Sequence, residues 1–307
     1  MILTQRLQAM GKMVVGISRP GSHRQSNATV QQIDIRNSDQ VSDLVRTVRP
    51  HRVFYVAGYH HSAQQTPDSD PLLMKRSLEV HVDGFLNVNE VLKKWMPESR
   101  IFYAGSSHVF GSPKITPQNE DTPFNPTSAY GITKATGVRM CRFFRDHYGL
   151  FCSAGILYNH ESPLRSPKFV TTKIVNAVVD IKQGRTDSLV LGDLDAEVDW
   201  GYAPDYMDAA IRMLELNEPD DFIVASGKVY KIRQFARLAF ESVGLDWQRY
   251  VVDDNTILDG GNRTIALCGD NSHLRRMTRW RPTVDLGEIV RLMLDARFAT
   301  VRKSLVD

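Results

Sequence analysis

Short apolar runs alternate with stretches in which apolar residues recur at helical spacing. The runs predict buried strands at residues 13–17, 53–57, 101–104 and 151–158, with a further short strand at residues 32–35. Helical spacing predicts helices over residues 1–10, 40–48, 78–95 and 128–148, the first ended by Gly11. Continuous apolar strands that alternate with helices are typical of a doubly wound parallel α/β sheet, which we predict for residues 1–158.

The pattern changes after Tyr158, where the predicted elements become shorter. We predict helices over residues 169–183, 206–216, 232–243 and from 286 onward, and strands at residues 189–191 and 222–225. We interpret residues 159–307 as a smaller, mainly substrate-binding lobe, with some segments returning to the sheet.

Composition narrows the function classes. The chain has 307 residues, a net charge of +3 and a pI of 8.7. This mild, unclustered excess of basic residues does not indicate a nucleic-acid partner.

Cys141, Cys152 and Cys268 lack CxxC spacing, which predicts reduced thiols and a cytoplasmic protein with neither a disulfide framework nor a zinc site. No apolar run reaches the length of a membrane span, and the N-terminus lacks the apolar segment of a signal peptide.

Three side chains indicate proton-transfer chemistry. Tyr130 and Lys134 lie four residues apart on a predicted helix, so they share one face, and a neighbouring ammonium would lower the pKa of the phenol. Ser106 follows the apolar run at residues 101–104 and would place a hydroxyl at the carboxyl end of a strand, where open α/β sheets hold their sites. These residues favour a general acid-base site.

Other residues favour a dinucleotide site in a Rossmann-like sheet. Arg19 follows a strand whose end would face the adenosine ribose, and an arginine there favours NADP over NAD. Asp34 could meet the adenine edge, and Ala57-Gly58 lets the backbone approach a cofactor. The adjacent residues His60 and His61 cannot point the same way, so we interpret them as loop residues near the pyrophosphate and predict no metal site.

Several motifs in this chain resemble those of a known protein family, and the similarity covers nearly the whole sequence. They are Gly16-Ile-Ser-Arg19, Ser106-Ser-x-Val-Phe-Gly111, the Tyr130/Lys134 pair, Gly155-Ile-Leu-Tyr-Asn159-His-Glu-Ser-Pro163, Phe169-Val-Thr-Thr-Lys173, Leu191-Gly-Asp-Leu-Asp195, Asp199-Trp-Gly201 and Asp221-Phe-Ile-Val-Ala-Ser-Gly227. The chain resembles the extended short-chain dehydrogenase/reductases, and within them the GDP-mannose 4,6-dehydratases. The Asn-His-Glu-Ser-Pro loop is the most specific of these motifs.

The resemblance implies a reaction and a set of residue roles. NADP would take hydride from C4 of a GDP-linked sugar, water would leave across C5 and C6, and the hydride would return to C6. Tyr130 would be the base, Lys134 its electrostatic partner and ribose ligand, and Ser106 the hydroxyl that polarises O4. The other implied NADP ligands are Arg19, Asp34, Ile35, Ala57, Gly58, His160 and Arg165, and the implied substrate ligands are Asn159, Thr171 and Lys173. A homodimer or homotetramer is also implied.

Four departures from the family pattern bear on activity. The glycine-rich loop and the first strand are absent, and we expect a truncated or misassigned start. His108 stands where the family has the glutamate that moves the C5 proton, and imidazole can act as acid or base near neutrality. Val198 replaces an arginine. Residues 260–264 replace the family's Arg-Pro-x-Glu-Val, where Arg263 could serve the nucleotide in its place.

Three hypotheses therefore stay open. The first is an NADP-dependent nucleotide-sugar 4,6-dehydratase. The second is a 4-keto reductase or epimerase, since both use the Ser/Tyr/Lys set without the elimination glutamate. The third is a catalytically silent family member that acts as a binding protein.

Overall fold

The computed structural model describes residues 1–21, 29–59, 70–254 and 266–303. The helices are α1 Ile2–Ala9, α2 Ser38–Val48, α3 Asp70–Leu78, α4 Gly84–Trp95, α5 Ala129–Tyr148, α6 Val170–Lys182, α7 Ala203–Met213, α8 Ile232–Glu241, α9 Trp247–Tyr250, α10 Ser272–Thr278 and α11 Leu286–Lys303. The strands are β1 Val15–Ser18, β2 Thr29–Gln32, β3 Arg52–Tyr55, β4 Arg100–Ser106, β5 Cys152–Leu157, β6 Asn159–Glu161, β7 Leu189–Leu191, β8 Glu197–Tyr202, β9 Asp221–Val224, β10 Val229–Lys231 and β11 Val251–Asp253.

The central sheet has the strand order β3-β4-β5-β9, and all of its strands run parallel. β4 and β5 are buried along almost their whole length, which explains their continuous apolar sequences. β1 and β2 form a separate parallel pair, and no ladder between described strands joins that pair to the central sheet. The predicted parallel α/β architecture is confirmed.

Two hydrophobic clusters fill the interior. The first combines α2, α4 and α5 with the central sheet, and β9, α7 and Trp280 from the second half of the chain also belong to it. The second lies between α6, α8 and α11 around Trp200 and Phe235. The division of the chain into lobes at residue 158 stays a prediction. No helix within the described ranges combines the length and apolar character that a bilayer crossing requires.

Two predicted elements differ from the structure in more than their end residues. The strand predicted at residues 32–35 is wrong, because β2 ends at Gln32 and the chain turns at Asp34, whose carbonyl accepts from the Asn37 backbone N–H at 2.9 Å. The helix predicted at residues 78–95 begins earlier, as α3, and a π-helical turn at Glu79–Asp83 separates α3 from α4. A single wide turn of this kind leaves no trace in hydrophobic periodicity.

Candidate active site

The carboxyl ends of β3, β4 and β5 share one edge of the sheet, and the predicted catalytic residues meet there. Ser106 is the last residue of β4, after which the 3-10 turn Ser107–Phe110 carries His108. On the facing helix, the Ser128 hydroxyl accepts from the Gly131 backbone N–H at 3.1 Å and caps α5 two residues before Tyr130. A hydrogen bond joins the Ser106 hydroxyl to the Tyr130 phenol. A strand end and a helix start thus bring together residues that are 24 positions apart in the sequence.

Lys134 lies one turn after Tyr130 on the same face of α5, as the spacing predicts. Its ammonium nitrogen donates to the Ala104 carbonyl at 2.7 Å and lies 5.8 Å from the centroid of the Tyr130 ring. Lys134 is only 3 % exposed, and burial lowers its pKa to about 7. Lys134 is therefore anchored to β4 and carries a proton that it can lose near neutral pH.

The predicted lowering of the Tyr130 pKa is wrong for this structure. Desolvation raises the pKa of Tyr130, and it outweighs the hydrogen bond from Ser106 and the charge of Arg165, which both lower it. The physical reason is that Lys134 points at the Ala104 carbonyl and is itself desolvated, so it gives the phenol little electrostatic help. Among the described residues, the Arg165 guanidinium is the charged group that lowers the pKa of the phenol.

His108 completes the group around the phenol. Its ring stands edge-on to the Tyr130 ring at a centroid distance of 5.6 Å, and its side chain reaches solvent. Desolvation by the surrounding protein lowers the pKa of His108, so the imidazole is neutral at pH 7. A neutral imidazole at this position can accept a proton from a carbon acid and return it to a leaving group.

The Asn-His-Glu-Ser-Pro loop begins on β6, which contains Asn159, and approaches the same edge. His160 Nδ1 donates to the Tyr158 carbonyl at 2.8 Å, and burial lowers the pKa of His160 to about 4. Arg165 Nε lies 3.3 Å from the Glu161 carboxylate, while its guanidinium carbon lies 3.4 Å from the Phe169 ring centroid. The loop therefore presents a neutral imidazole and a held guanidinium.

The two predicted substrate ligands on α6 make internal contacts. The Thr171 hydroxyl donates to Glu161 at 2.7 Å, and Thr171 is fully buried. The Lys173 ammonium donates to the Val190 carbonyl at 2.8 Å. Thr171 thus helps to hold the Glu161/Arg165 pair, and direct contact of either residue with a nucleotide sugar stays a prediction.

Three of the predicted cofactor residues lie just after the first two strands, β1 and β2. Arg19 directly follows β1, and the neighbouring Ser18 hydroxyl is buried with no hydrogen-bond partner among the described residues. Asp34 binds the Arg36 guanidinium, with oxygen–nitrogen distances from 2.6 to 3.0 Å. The Ile35 carbonyl accepts from the Asn87 side chain at 3.0 Å, so the chain after β2 is fixed to α4.

The Ala57-Gly58 turn after β3 provides a further test of whether these residues fit a dinucleotide. Gly58 is exposed, and a Cβ added to it would lie 3.6 Å from His81 Nε2 and 3.9 Å from Lys134 Nζ. Gly58 is thus exposed, and the side on which a Cβ would lie faces His81 and Lys134 at van der Waals distance. Together with the unpaired Ser18 hydroxyl, this open turn fits a ligand that lies along the sheet edge and contacts backbone and hydroxyl groups.

Arg263 and the departure at residues 260–264 lie outside the described residues, as do His60 and His61. Val198, on β8, pairs with Tyr230 and packs against the second hydrophobic cluster. It therefore serves packing at the position where the family pattern has an arginine.

Two buried polar residues near this edge were not predicted. His81 contacts both the Gly58-Tyr59 turn and α5. The Asp199 carboxylate accepts from the Ser226 N–H and hydroxyl and from the N–H groups of Gly227 and Gly269, at 2.6 to 3.2 Å. The partners of both residues are distant in sequence, so no local pattern could identify them.

A parallel α/β sheet that holds a serine, a tyrosine and a lysine together at its carboxyl edge defines an extended short-chain dehydrogenase/reductase. The family model described as GDP-mannose 4,6 dehydratase matches residues 4–293. The chain belongs to the GDP-mannose 4,6-dehydratase family, which is a family of lyases.

Curated relatives agree with this assignment, and solved structures agree with the fold. The chain is 34% identical to GDP-mannose 4,6 dehydratase 2 of Arabidopsis thaliana, over 89% of this chain and 73% of that protein. It is 30% identical to the human GDP-mannose 4,6 dehydratase, over 92% and 80% of the two chains. The fold matches RMD from Pseudomonas aeruginosa complexed with NADPH, with a TM-score of 0.79, 21% identity and coverage of 97% and 96%. It also matches UDP-glucose 4-epimerase from Thermotoga maritima with UDP-glucose, with a TM-score of 0.84, 19% identity and coverage of 97% and 95%.

Proposed function

We propose that this protein is an NADP-dependent nucleotide-sugar 4,6-dehydratase that acts on a GDP-linked hexose. The observation that carries the proposal is the group at the sheet edge, in which Ser106 is hydrogen-bonded to Tyr130 and His108 stands edge-on to the phenol. The family relatives named as GDP-mannose 4,6 dehydratases support the choice of substrate.

The first step needs a base at the C4 hydroxyl of the sugar. Tyr130 takes that proton at its phenol oxygen, while the Ser106 hydroxyl donates a hydrogen bond to O4 of the sugar. Desolvation raises the pKa of Tyr130, while the Ser106 bond and the Arg165 charge lower it; when the single Ser106 hydrogen turns to O4 of the sugar, the Arg165 charge still favours the phenolate. A nicotinamide dinucleotide, when bound, supplies the hydride acceptor and donor for the sugar.

The second step needs a residue that moves the C5 proton. A ketone at C4 acidifies C5–H, and neutral His108 accepts that proton and then protonates the C6 hydroxyl as it leaves as water. One group therefore serves as base and then as acid, and the C5 proton leaves with the C6 hydroxyl as one molecule of water. The proton removed from O4 balances the proton that C5 regains when the hydride returns to C6. The pKa of His108 is held low by desolvation, which keeps the imidazole ready as a base at neutral pH.

The residues that would hold the cofactor follow β1 and β3 or belong to the Asn-His-Glu-Ser-Pro loop and its continuation. Arg19 and Ser18 would bind the adenosine ribose and its 2′-phosphate, Gly58 the pyrophosphate, and His160 and Arg165 the nicotinamide half, a proposal supported by the unpaired Ser18 hydroxyl, the exposed Gly58 turn and the held Arg165 guanidinium. The proposal of NADP rather than NAD rests on Arg19, and the fold neighbour complexed with NADPH is consistent with it.

Assembly and location are part of the same proposal. Self-association into a homodimer or homotetramer would bury exposed apolar side chains such as Leu86 on α4 and Ile132 and Phe143 on α5, which are 40 to 45 % exposed. Free thiols at Cys141, Cys152 and Cys268 support a cytoplasmic location.

The test is incubation with GDP-mannose and catalytic amounts of NADP, followed by mass spectrometry. A dehydratase converts the substrate to a 4-keto-6-deoxy product that has lost one water, with no net change in NADPH absorbance. Tyr130→Phe serves as the inactive control. A protein that purifies without NADP and yields no product would support the catalytically silent alternative.

A second candidate, a nucleotide-sugar 4-keto reductase or epimerase, is favoured by His108 in place of the family's glutamate. A reductase would oxidise one NADPH for each 4-keto sugar reduced. An epimerase would yield an isomer of unchanged mass, so the same mass spectra and absorbance traces separate the three activities.

A further inference from the structure

His81 occupies an unusual position, in the π-helical turn Glu79–Asp83 between α3 and α4. The residue is fully buried. Its Nε2 accepts a hydrogen bond from the Tyr59 backbone N–H at 2.9 Å, and its Nδ1 lies 2.8 Å from the Thr133 hydroxyl oxygen. Its ring also stands edge-on to the Tyr130 ring at a centroid distance of 5.3 Å. One imidazole therefore contacts both the turn after β3 and the first turns of α5.

The hydrogen-bond partners determine the tautomer of this imidazole. A backbone N–H can only donate, so Nε2 must be the acceptor and Nδ1 must carry the proton. The Thr133 hydroxyl in turn donates to the carbonyl of Ala129 or Tyr130, at 3.0 and 3.1 Å, so its oxygen is free to accept from Nδ1–H. The direction of donation is thus fixed from Tyr59 through His81 to α5.

The backbone around His81 is held as well. The Tyr55 hydroxyl donates to the Val80 carbonyl, and the Tyr103 hydroxyl donates to the His81 carbonyl at 3.4 Å. A methyl group on Gly84, the first residue of α4, would come within 2.6 Å of the Tyr55 hydroxyl oxygen. The π-helical turn is therefore packed tightly against the central sheet, and this packing fixes the backbone position from which the His81 side chain extends.

We propose that His81, as the Nδ1–H tautomer, is a positioning residue that holds the Gly58-Tyr59 turn at a set distance from Tyr130 and Lys134. This inference rests on the proposed function, in which that turn faces the pyrophosphate and α5 carries the base. His81 does not take part in the chemistry itself, because both of its ring nitrogens are hydrogen-bonded to protein groups. Its effect is to couple cofactor affinity to the placement of the phenol.

The first test needs no cofactor. Nitrogen-15 NMR of the histidine side chains, with His81 assigned by the signal that disappears in His81→Gln, should show a protonated Nδ1 and an unprotonated Nε2. Hydrogen exchange at the Tyr59 amide should be slow in the wild type and at least tenfold faster in His81→Asn. An Nε2–H tautomer, or equal exchange in the two proteins, would overturn the proposal.

The second test separates the two hydrogen bonds. Glutamine places its terminal oxygen near the position of Nε2 and can still accept from Tyr59, whereas asparagine places its amide near Nδ1 and can reach only Thr133. We expect His81→Asn to raise the Kd for NADPH by about 5- to 10-fold, the effect of one lost hydrogen bond, while His81→Gln stays within about twofold of wild type. Equal Kd values for the two variants would contradict a role through Tyr59.

Thr133 provides the matched pair on α5. Thr133→Ser keeps the hydroxyl and should keep wild-type turnover, whereas Thr133→Val removes it and should lower kcat by about 5- to 10-fold with the NADPH Kd unchanged. Equal kcat in the two Thr133 variants would overturn the α5 half of the proposal. If the wild type itself binds no NADPH, the proposed function fails, and the tautomer and exchange measurements still decide the role of His81.

Discussion

Replacing Lys134 with methionine should make the free protein more stable and change how its stability depends on pH. Lys134 is buried with a folded-state pKa of about 7, against 10.5 for an ordinary lysine. Between these two values the unfolded chain binds a proton that the folded chain has lost, so the free energy of unfolding rises with pH across this window. The lysine therefore opposes folding most strongly at the low end of the window.

The magnitude follows from the two pKa values. At about 1.4 kcal/mol per pKa unit, the difference between 10.5 and 7 corresponds to a penalty of about 4 kcal/mol at pH 7, which falls to about 2 kcal/mol at pH 9. Methionine removes this penalty but loses the 2.7 Å hydrogen bond to the Ala104 carbonyl, which costs about 1 kcal/mol. We expect Lys134→Met to be more stable than wild type at pH 7, with the advantage shrinking by about 2 kcal/mol at pH 9.

The assay is urea unfolding of the cofactor-free protein at several pH values between 7 and 9, followed by tryptophan fluorescence. Lys228→Met, at an exposed lysine, is the matched control and should keep the wild-type slope of stability against pH. Parallel slopes for wild type and Lys134→Met would refute the reasoning, because the slope difference depends only on the titration of Lys134. Loss of turnover in the same variant would show that Lys134 is retained for function despite its cost in stability.

Three further substitutions and one matched control test the site and its support. Tyr130→Phe removes only the hydroxyl and should lower turnover by about 10²- to 10⁴-fold with little change in melting temperature, so full activity would remove Tyr130 from the mechanism. His108→Glu should increase the yield of 4-keto-6-deoxy product, measured by mass spectrometry, and an unchanged yield would show that substrate binding limits the reaction. Gly111→Ala should lower the free energy of unfolding in urea by about 3 kcal/mol or more, because Gly111 has φ 55° and a methyl group would overlap the Asn125 carbonyl oxygen. Gly149→Ala, with φ 65° and no atom within 4 Å of the added methyl group, should cost only about 1 kcal/mol, and equal losses would contradict the overlap argument.

The sequence by itself determined the type of fold and the order of the main strands and helices around the central sheet. Apolar runs such as residues 151–158 are long enough to be buried on both faces, and they alternate with helices whose ends carry local signals, among them the Ser128 cap of α5. Spacing also placed Tyr130 and Lys134 on one face, because helical geometry links residues four apart whatever surrounds them. These features depend on near neighbours in the chain, so they could be predicted.

Only the tertiary structure decided the electrostatics and supports of the site. Burial raises the pKa of Tyr130 and lowers the pKa of Lys134, the reverse of what an exposed phenol beside an ammonium would show, because desolvation depends on everything packed around a group. His81 meets Tyr59 and Thr133 across 22 and 52 residues, through a π-helical turn that periodicity does not reveal. The sequence thus specifies which groups are available, and long-range packing sets their distances and their protonation.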